Sequence, residues 1–369
     1  MALSQVGLER LGTSVTDKIG ENKNLIINGA IQVAQRGTTA TCNTGSNTYS
    51  MDRWYARGES SLGVFTLSQE DIAANNQGVK YAAKVTVTNN VTPGSGDVYK
   101  IAQRIEGQNL AQLELGRSTA KSFTLSFIVK SSVTGTHSGS FMNSAQNRSF
   151  PFTYTISQAD TWEQKSITIP GDTAGTWLVD NGIGLELNFD MGSGSGKRGN
   201  AGGAWLAARA EGATGAVQVI SSANATWFIS KVQIEVGSVA TDFEHRSFAD
   251  ELRSCQRYYE KSYRYEDAVG SSSNTDGNID MNVSSNQHST AVYHLRFFQE
   301  KRANPTVTVY RTDTGASGQW QYGRSGDNTA FGNVTIDALS TKSARVYLGV
   351  GVSYSACYIA GHYTAEAEL

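Results

Sequence analysis

Five histidines (His137, His245, His288, His294 and His362) are the side chains best suited to proton transfer or metal ligation, and none stands in an H-x-x-x-H or H-E-x-x-H pair. Three cysteines, Cys42, Cys255 and Cys357, leave an odd count without a C-x-x-C pair, so no disulfide framework or structural zinc site is expected. The run DMGSGSGKRGNAGG holds Gly194-x-Gly196-x-x-Gly199 and Gly196-Lys197. A phosphate-cradling loop would need glycine where Met191 stands and a hydroxyl where Arg198 stands. The same run spells G-S-G-S-G, the letters of a nucleophile elbow, without a flanking strand and helix. It reads as a flexible hairpin tip carrying two exposed cations. No spacing selects a Ser/His/Asp triad or a carboxylate pair, so no catalytic residue and no metal ligand is assigned. Stacking of aromatic rings on sugar C–H faces is the chemistry that remains. Trp177, Trp205, Trp320, Tyr322 and Tyr354 are the candidates for glycan or surface contact, and Trp54 and Trp227 fall within strands as core.

The elements that must carry these rings are strands. Tyr81, Ala83, Val85 and Val87 alternate with Lys84, Thr86 and Thr88, and Ile183, Leu185, Leu187 and Phe189 with Glu186, Asn188 and Asp190. The same period appears at Phe123–Val129, Phe150–Ile156 and Val232–Val236, and it marks half-buried strands. Separated by Gly, Ser and Asn clusters, they predict a β-sandwich over residues 24–245. In SFADELRSCQRYYEKSY the spacing of Phe248, Leu252, Cys255 and Tyr259 predicts a connecting helix within 246–265, with Ser247 as N-cap. That stripe either packs on the protein's own sheets or forms the seam of an oligomer. Alternation resumes beyond it and predicts a smaller β domain over 266–369. In residues 1–23, Leu8, Leu11, Val15 and Ile19 keep helical spacing but Gly7, Gly12 and Gly20 interrupt them, as in a segment that orders only on a partner.

The 369 residues carry 31 basic and 33 acidic groups, a net charge of −2, which argues against a strongly basic nucleic-acid binder. No apolar run reaches the ~18 residues of a membrane-spanning helix, and the first residues lack the pattern of a secretory signal. Glycine contributes 38 residues and charged residues 17%, a composition that suits antiparallel sheets with frequent turns.

Several motifs share one resemblance. NLIINGAIQVAQRGTT (24–39), YSMDRWYA (49–56), VQIEVGSVATDFEHRSFADELRSCQRYYEKSY (232–263), KRANPTVTVY (301–310) and GHYTAEAEL (361–369) together resemble tailed-bacteriophage virion proteins of the tail-fibre class. The opening and closing motifs of the large domain are also similar to those of carbohydrate-binding-module-like jelly rolls. The resemblance implies an all-β fold: a jelly-roll sandwich, a smaller C-terminal β-sandwich domain, one joining helix and a short N-terminal docking segment. It implies a non-enzymatic structural protein of the virion, made in the host cytoplasm and carried on the tail rather than the head. Residues 1–23, with Leu8, Leu11, Val15 and Ile19, would dock onto tail or head proteins, and the chain would pair with itself as a homotrimer through Phe248, Leu252, Cys255 and Tyr259. Distal loops would contact a host-surface glycan. A capsid decoration or head-fibre protein that recognises nothing, and a polysaccharide depolymerase, are the rival readings. Related modules hold a structural Ca²⁺ with a carboxylate shortly after the opening motif; Gln32 stands there, which disfavours the site, and no other cofactor is expected.

Overall fold

The computed structural model describes residues 23–43, 45–58, 62–272, 277–283, 290–323, 330–349 and 357–369. Tyr354, Leu8, Leu11, Val15 and Ile19 lie outside the described residues. In chain order the large unit contains β1 (Thr39–Cys42), β2 (Thr48–Tyr49), β3 (Tyr55–Gly58), β4 (Val64–Asp71), β5 (Tyr81–Asn89), β6 (Tyr99–Glu106) and β7 (Phe123–Ser131). It continues with β8 (Gly135–Met142), β9 (Ser149–Ile156), β10 (Glu163–Ile169), β11 (Ile183–Asp190), the two-residue strands β12 (Arg198–Gly199) and β13 (Gly212–Ala213), and β14 (Thr226–Val236). Two antiparallel sheets form, ordered β1-β4-β5-β14-β7-β10 and β2-β3-β6-β11-β8-β9. The chain passes repeatedly between the two sheets, as in a jelly roll. The alternating apolar side of each strand points between them: Val85, Leu125, Phe127, Leu187, Phe189 and Trp227 belong to one buried cluster.

The opening motif is not a strand. It lies along a bulge in β14, where the register against β7 shifts between Ser230 and Gln233 and Lys231 takes a φ of 51°. The extra residue changes which side chains face inward, from Trp227 and Ile229 to Val232 and Ile234, and it leaves ladder groups without strand partners. Asn24 supplies them: its Nδ2 donates to the Val232 carbonyl at 3.0 Å and its Oδ1 accepts from Ile234 N at 3.1 Å. Gly29 is required beside it, because a Cβ there would collide with the Val232 carbonyl oxygen.

Helix α1 (Phe248–Gln256) starts as its sequence predicts, with Ser247 Oγ accepting from Asp250 N at 3.2 Å. It ends well short of 265. The chain turns after Gln256, and β15 (Tyr259–Lys261) pairs with the last strand, so Tyr259 is a strand residue and the helical stripe is cut.

The second unit adds β16 (Ile279–Val283), β17 (Thr290–Arg296), β18 (Thr306–Tyr310), β19 (Gln319–Gly323), β20 (Ala330–Asp337), β21 (Ser343–Gly349) and β22 (Cys357–Glu366). β22 is the spine: β15, β16, β18 and β19 all pair with it, and β20, β21 and β17 follow outward from β19. The sheet curls so that its edge strand returns over the spine, placing Tyr293 6.1 Å from Trp320 and Phe297 6.4 Å from Tyr363. This half-barrel has its own apolar core, separate from that of the sandwich.

Candidate functional site

The polar side of the β6–β11–β8 sheet is the first surface to consider, since alternation sends Lys100, Arg104, Glu186, Asn188, Asp190, Ser138 and Ser140 to it. The face is sealed. Residues 198–216 lie across it, and Glu186, Asn188 and Asp190 are at most 3% exposed. Lys100 Nζ sits 2.6 Å from Glu186 and 3.0 Å from Glu211, while Arg104 Nε reaches Glu186 at 2.9 Å. Arg198 binds Asp190 at 3.0 Å and the Ala216 carbonyl at 2.7 Å, and Ser140 donates to the Ala210 carbonyl at 2.6 Å. Burial alone would raise the Glu186 carboxyl, yet Lys100 and Arg104 hold it down at about 2. The glycine run read as an exposed hairpin tip is thus part of a cover, and Arg198 is a buried ion-pair partner rather than a free surface cation.

A second polar cluster joins the two units, and it is built from the recurring motifs. Arg36 of Q-R-G reaches Asp52 of D-R-W at 3.1 Å and Glu368 at 3.2 Å, and Arg53 also binds Glu368. Both guanidiniums stack on the tyrosine pair that follows α1, Arg36 over Tyr259 at 3.7 Å and Arg53 over Tyr258 at 3.5 Å. Arg257 and Tyr258 converge on Glu106, each at 2.8 Å. Arg302 of K-R-A-N-P donates to the carbonyls of Ala367, Glu368 and Asn181 at 2.7, 2.8 and 2.9 Å. Carboxylates crowd the buried cations here, and burial pushes Asp52 up to about 6 against the pull of Arg36. These motif residues are consumed in fastening one unit to the other.

An open cleft of about 420 Å³ lies beside this junction, between the start of α1, the β4–β5 hairpin and the opening segment. Its walls present Tyr81, Tyr265 and Phe248, with Phe248 44% exposed and its ring edge-on to Tyr265 at 5.2 Å. Gln32 and Gln69 line it as well, each fixed by its amide nitrogen: Gln69 donates to the Ile31 carbonyl at 2.6 Å and Gln32 to the Arg246 carbonyl at 3.3 Å. The Tyr265 hydroxyl accepts from Ala34 N at 2.7 Å and donates to the Gln32 carbonyl at 3.2 Å, so that ring is held in place. Burial pushes Tyr265 up to about 12, which keeps its hydroxyl protonated at neutral pH. Ring faces beside anchored amides can stack on a pyranose and hydrogen-bond its hydroxyls.

The aromatic candidates from the sequence fall elsewhere. Trp320 is fully buried, donating Nε1 to the His362 carbonyl at 3.0 Å, and it packs so closely on Gly361 that any Cβ there would strike its ring. It is core, not a surface platform, and Tyr322 packs partly buried against the same core. Trp177 and Trp205 do meet, their centroids 5.4 Å apart, but Trp177 is 9% exposed and both indole nitrogens are tied to backbone carbonyls. Trp177 lines a smaller hollow of about 250 Å³ with Leu110, Leu178 and Val179. Of the proposed seam, Cys255 and Tyr259 are buried within the chain itself and Phe248 belongs to the cleft. Tyr81, Tyr265, Gln69 and Lys80 were missed, because nothing in linear spacing brings residues 32, 69, 81, 248 and 265 together.

The oxygens near Gln32 that a calcium ion would need are committed to Arg246. Its guanidinium takes the Asn24 carbonyl at 2.6 Å, the Ile26 carbonyl at 3.3 Å and Glu244 at 3.2 Å, with Glu251 at 3.9 Å. The residues present therefore fit an organic cation and not Ca²⁺, which takes 6–8 oxygens. Among the described residues no group of three or more His, Cys, Asp or Glu is arranged to hold a metal. Ser262 Oγ lies 3.1 Å from His362 Nδ1 and accepts from Tyr363 N at 3.0 Å; both side chains are buried under Tyr263, whose ring stacks on the imidazole at 3.9 Å.

No known family profile and no curated protein matches the sequence. Among solved structures, the chain is similar to a putative sugar-binding protein from Bacteroides thetaiotaomicron at 13% identity and a TM-score of 0.35, covering 58% of this chain and all of the other. It is similar to a family 61 carbohydrate-binding module in complex with β-1,4-galactotriose at 9% identity and a TM-score of 0.29, covering 58% and 100%. The enzymatically active domain of bacteriophage CBA120 tailspike protein 4 matches at 14% identity and a TM-score of 0.31, covering 58% of this chain but only 22% of that one.

Proposed function

We propose that this protein is a non-catalytic structural component of a phage particle, a tail fibre or tail appendage, that contacts a saccharide of the host surface through the cleft beside α1. The virion assignment is supported by the ordered set of motifs, residues of which join the two β units. The saccharide assignment is carried by a single observation: three aromatic rings and two anchored amides line an open cleft, whereas the polar sheet face is sealed by residues 198–216. The buried Ser262–His362 pair is absorbed by structural hydrogen bonds, in keeping with a binding role.

Incubating the full-length protein with host-surface polysaccharide tests this reading. Retention of the polysaccharide is expected, without release of reducing sugar, and the double variant Tyr81→Ala, Phe248→Ala should lose retention while Trp177→Ala keeps it. Reducing-sugar release would install the depolymerase in its place, and absence of retention would leave the decoration protein as the better reading.

A further inference from the structure

The charged groups around the cleft are all of one sign. Lys80 and Arg246 line it, and no Asp or Glu does, in a chain whose acidic and basic residues nearly balance. A third cation stands at its rim: Lys231 Nζ lies 4.0 Å from where a Cβ on Gly78 would sit, and Gly78 is part of the lining. Lys231 lies within the β14 bulge, at a φ of 51°. Arg246 is neutralised by Glu244, whereas Lys80 and Lys231 form no ion pair among the described residues, the Lys80 ammonium lying 4.9 Å from the Tyr81 ring centroid. Asp71, opposite Tyr81 in the β4–β5 register, accepts from Ala73 N at 2.9 Å and stays outside the cleft. Several other cations are matched: Lys100 has two carboxylates and Arg104, Arg148 and Arg257 one each. Unmatched cations beside stacking rings favour a ligand that brings its own negative charge.

We propose that the cleft takes an anionic saccharide, a sugar bearing a carboxylate or a phosphate, with the ring on Tyr81, Tyr265 and Phe248 and the anionic group at Lys80 and Lys231. The inference rests on the cleft being the saccharide site. The full-length protein is titrated calorimetrically with trigalacturonate, with the neutral galactotriose of the same linkage, and with galactose 6-phosphate. Either anionic sugar is expected to bind more tightly than the neutral one, more weakly as salt is raised from 20 to about 300 mM. The double variant Lys80→Gln, Lys231→Gln should lose roughly tenfold in affinity for the anionic sugar while its affinity for the neutral one is unchanged. Binding of galactotriose equal to or tighter than the anionic sugars, abolished by Phe248→Ala, would overturn the charge preference and leave the saccharide site standing. Failure of all three sugars, and of host polysaccharide, to bind would overturn both.

Discussion

On the sealed face Lys100 touches two buried carboxylates, whereas at the cleft Lys80 and Lys231 touch none, and the two surfaces stand on the same sandwich. The difference lies in what covers them. A 19-residue Gly- and Ala-rich segment, 198–216, brings Glu211 and a row of carbonyls onto the first surface and satisfies its charges internally. No segment among the described residues does so at the second, where rings and amides remain open to a ligand. A polar sheet face is therefore not a binding face merely by being polar; what decides is whether the chain itself supplies the counter-groups.

The contrast breaks most severely at Lys100. Lys100→Met strands Glu186 and Glu211 in a buried site with Arg104 and Arg209 as the remaining cations, and a loss of about 3–5 kcal/mol in urea unfolding is expected. An unaltered unfolding midpoint would mean that the face is not closed in solution.

Acid sharpens the comparison, because the two polar clusters respond with opposite sign. Glu186 is held down at about 2, below the ordinary 4.5, so its contribution is fully present above pH 4.5 and disappears as the pH falls toward 2. Asp52 is pushed up to about 6 from 3.8, so the folded protein keeps its proton; that contribution is fully present below 3.8 and is lost as the pH rises through 6. Each amounts to something on the order of 3 kcal/mol. Unfolding free energies across pH 3–7 should show Glu186→Gln flattening the acid limb and Asp52→Asn flattening the change between pH 4 and 6. Identical profiles for the two variants would contradict the division between a face where cations surround each carboxylate and a junction where carboxylates crowd the cations.

The strands were legible because each unit buries one side of every ribbon, and the period of two survives in β5, β7 and β11. The helix was legible only to Gln256: Arg257 and Tyr258 are drawn to Glu106, and Tyr259 into β15, by partners more than a hundred residues away. Trp320 read as a surface ring beside glycines, since its burial depends on Gly361, forty-one positions later, leaving space for the indole. Closure of the sheet face was illegible because its cover is Gly-rich and shows no periodicity. The cleft was illegible for the opposite reason, as ordinary residues from five separate segments meet there. The motifs were legible only as a resemblance; that Arg36, Asp52, Arg53 and Arg302 within them join the two units depends on contacts with the far end of the chain.

Smaller effects complete the comparison. Phe248→Ala should weaken saccharide binding about tenfold while moving stability by less than about 0.5 kcal/mol, since the ring is half exposed on a helix that favours alanine. A large stability loss would reclassify the cleft as a packing defect of the fold. The smallest effect is expected from Leu252→Asp: Cys255 and Tyr259 are already covered by the chain, so the sedimentation coefficient should not change. Dissociation of an oligomer would restore α1 as a subunit seam.

Hydrogen–deuterium exchange of the full-length protein with and without bound saccharide addresses the central claim directly. Added protection confined to residues 78–81, 245–252 and 265, with 100–104, 186–190 and 198–216 unchanged, is the predicted result. Protection along β6 and β11 together with faster exchange in 198–216 would show that the cover lifts and that the sheet face, not the cleft, receives the ligand.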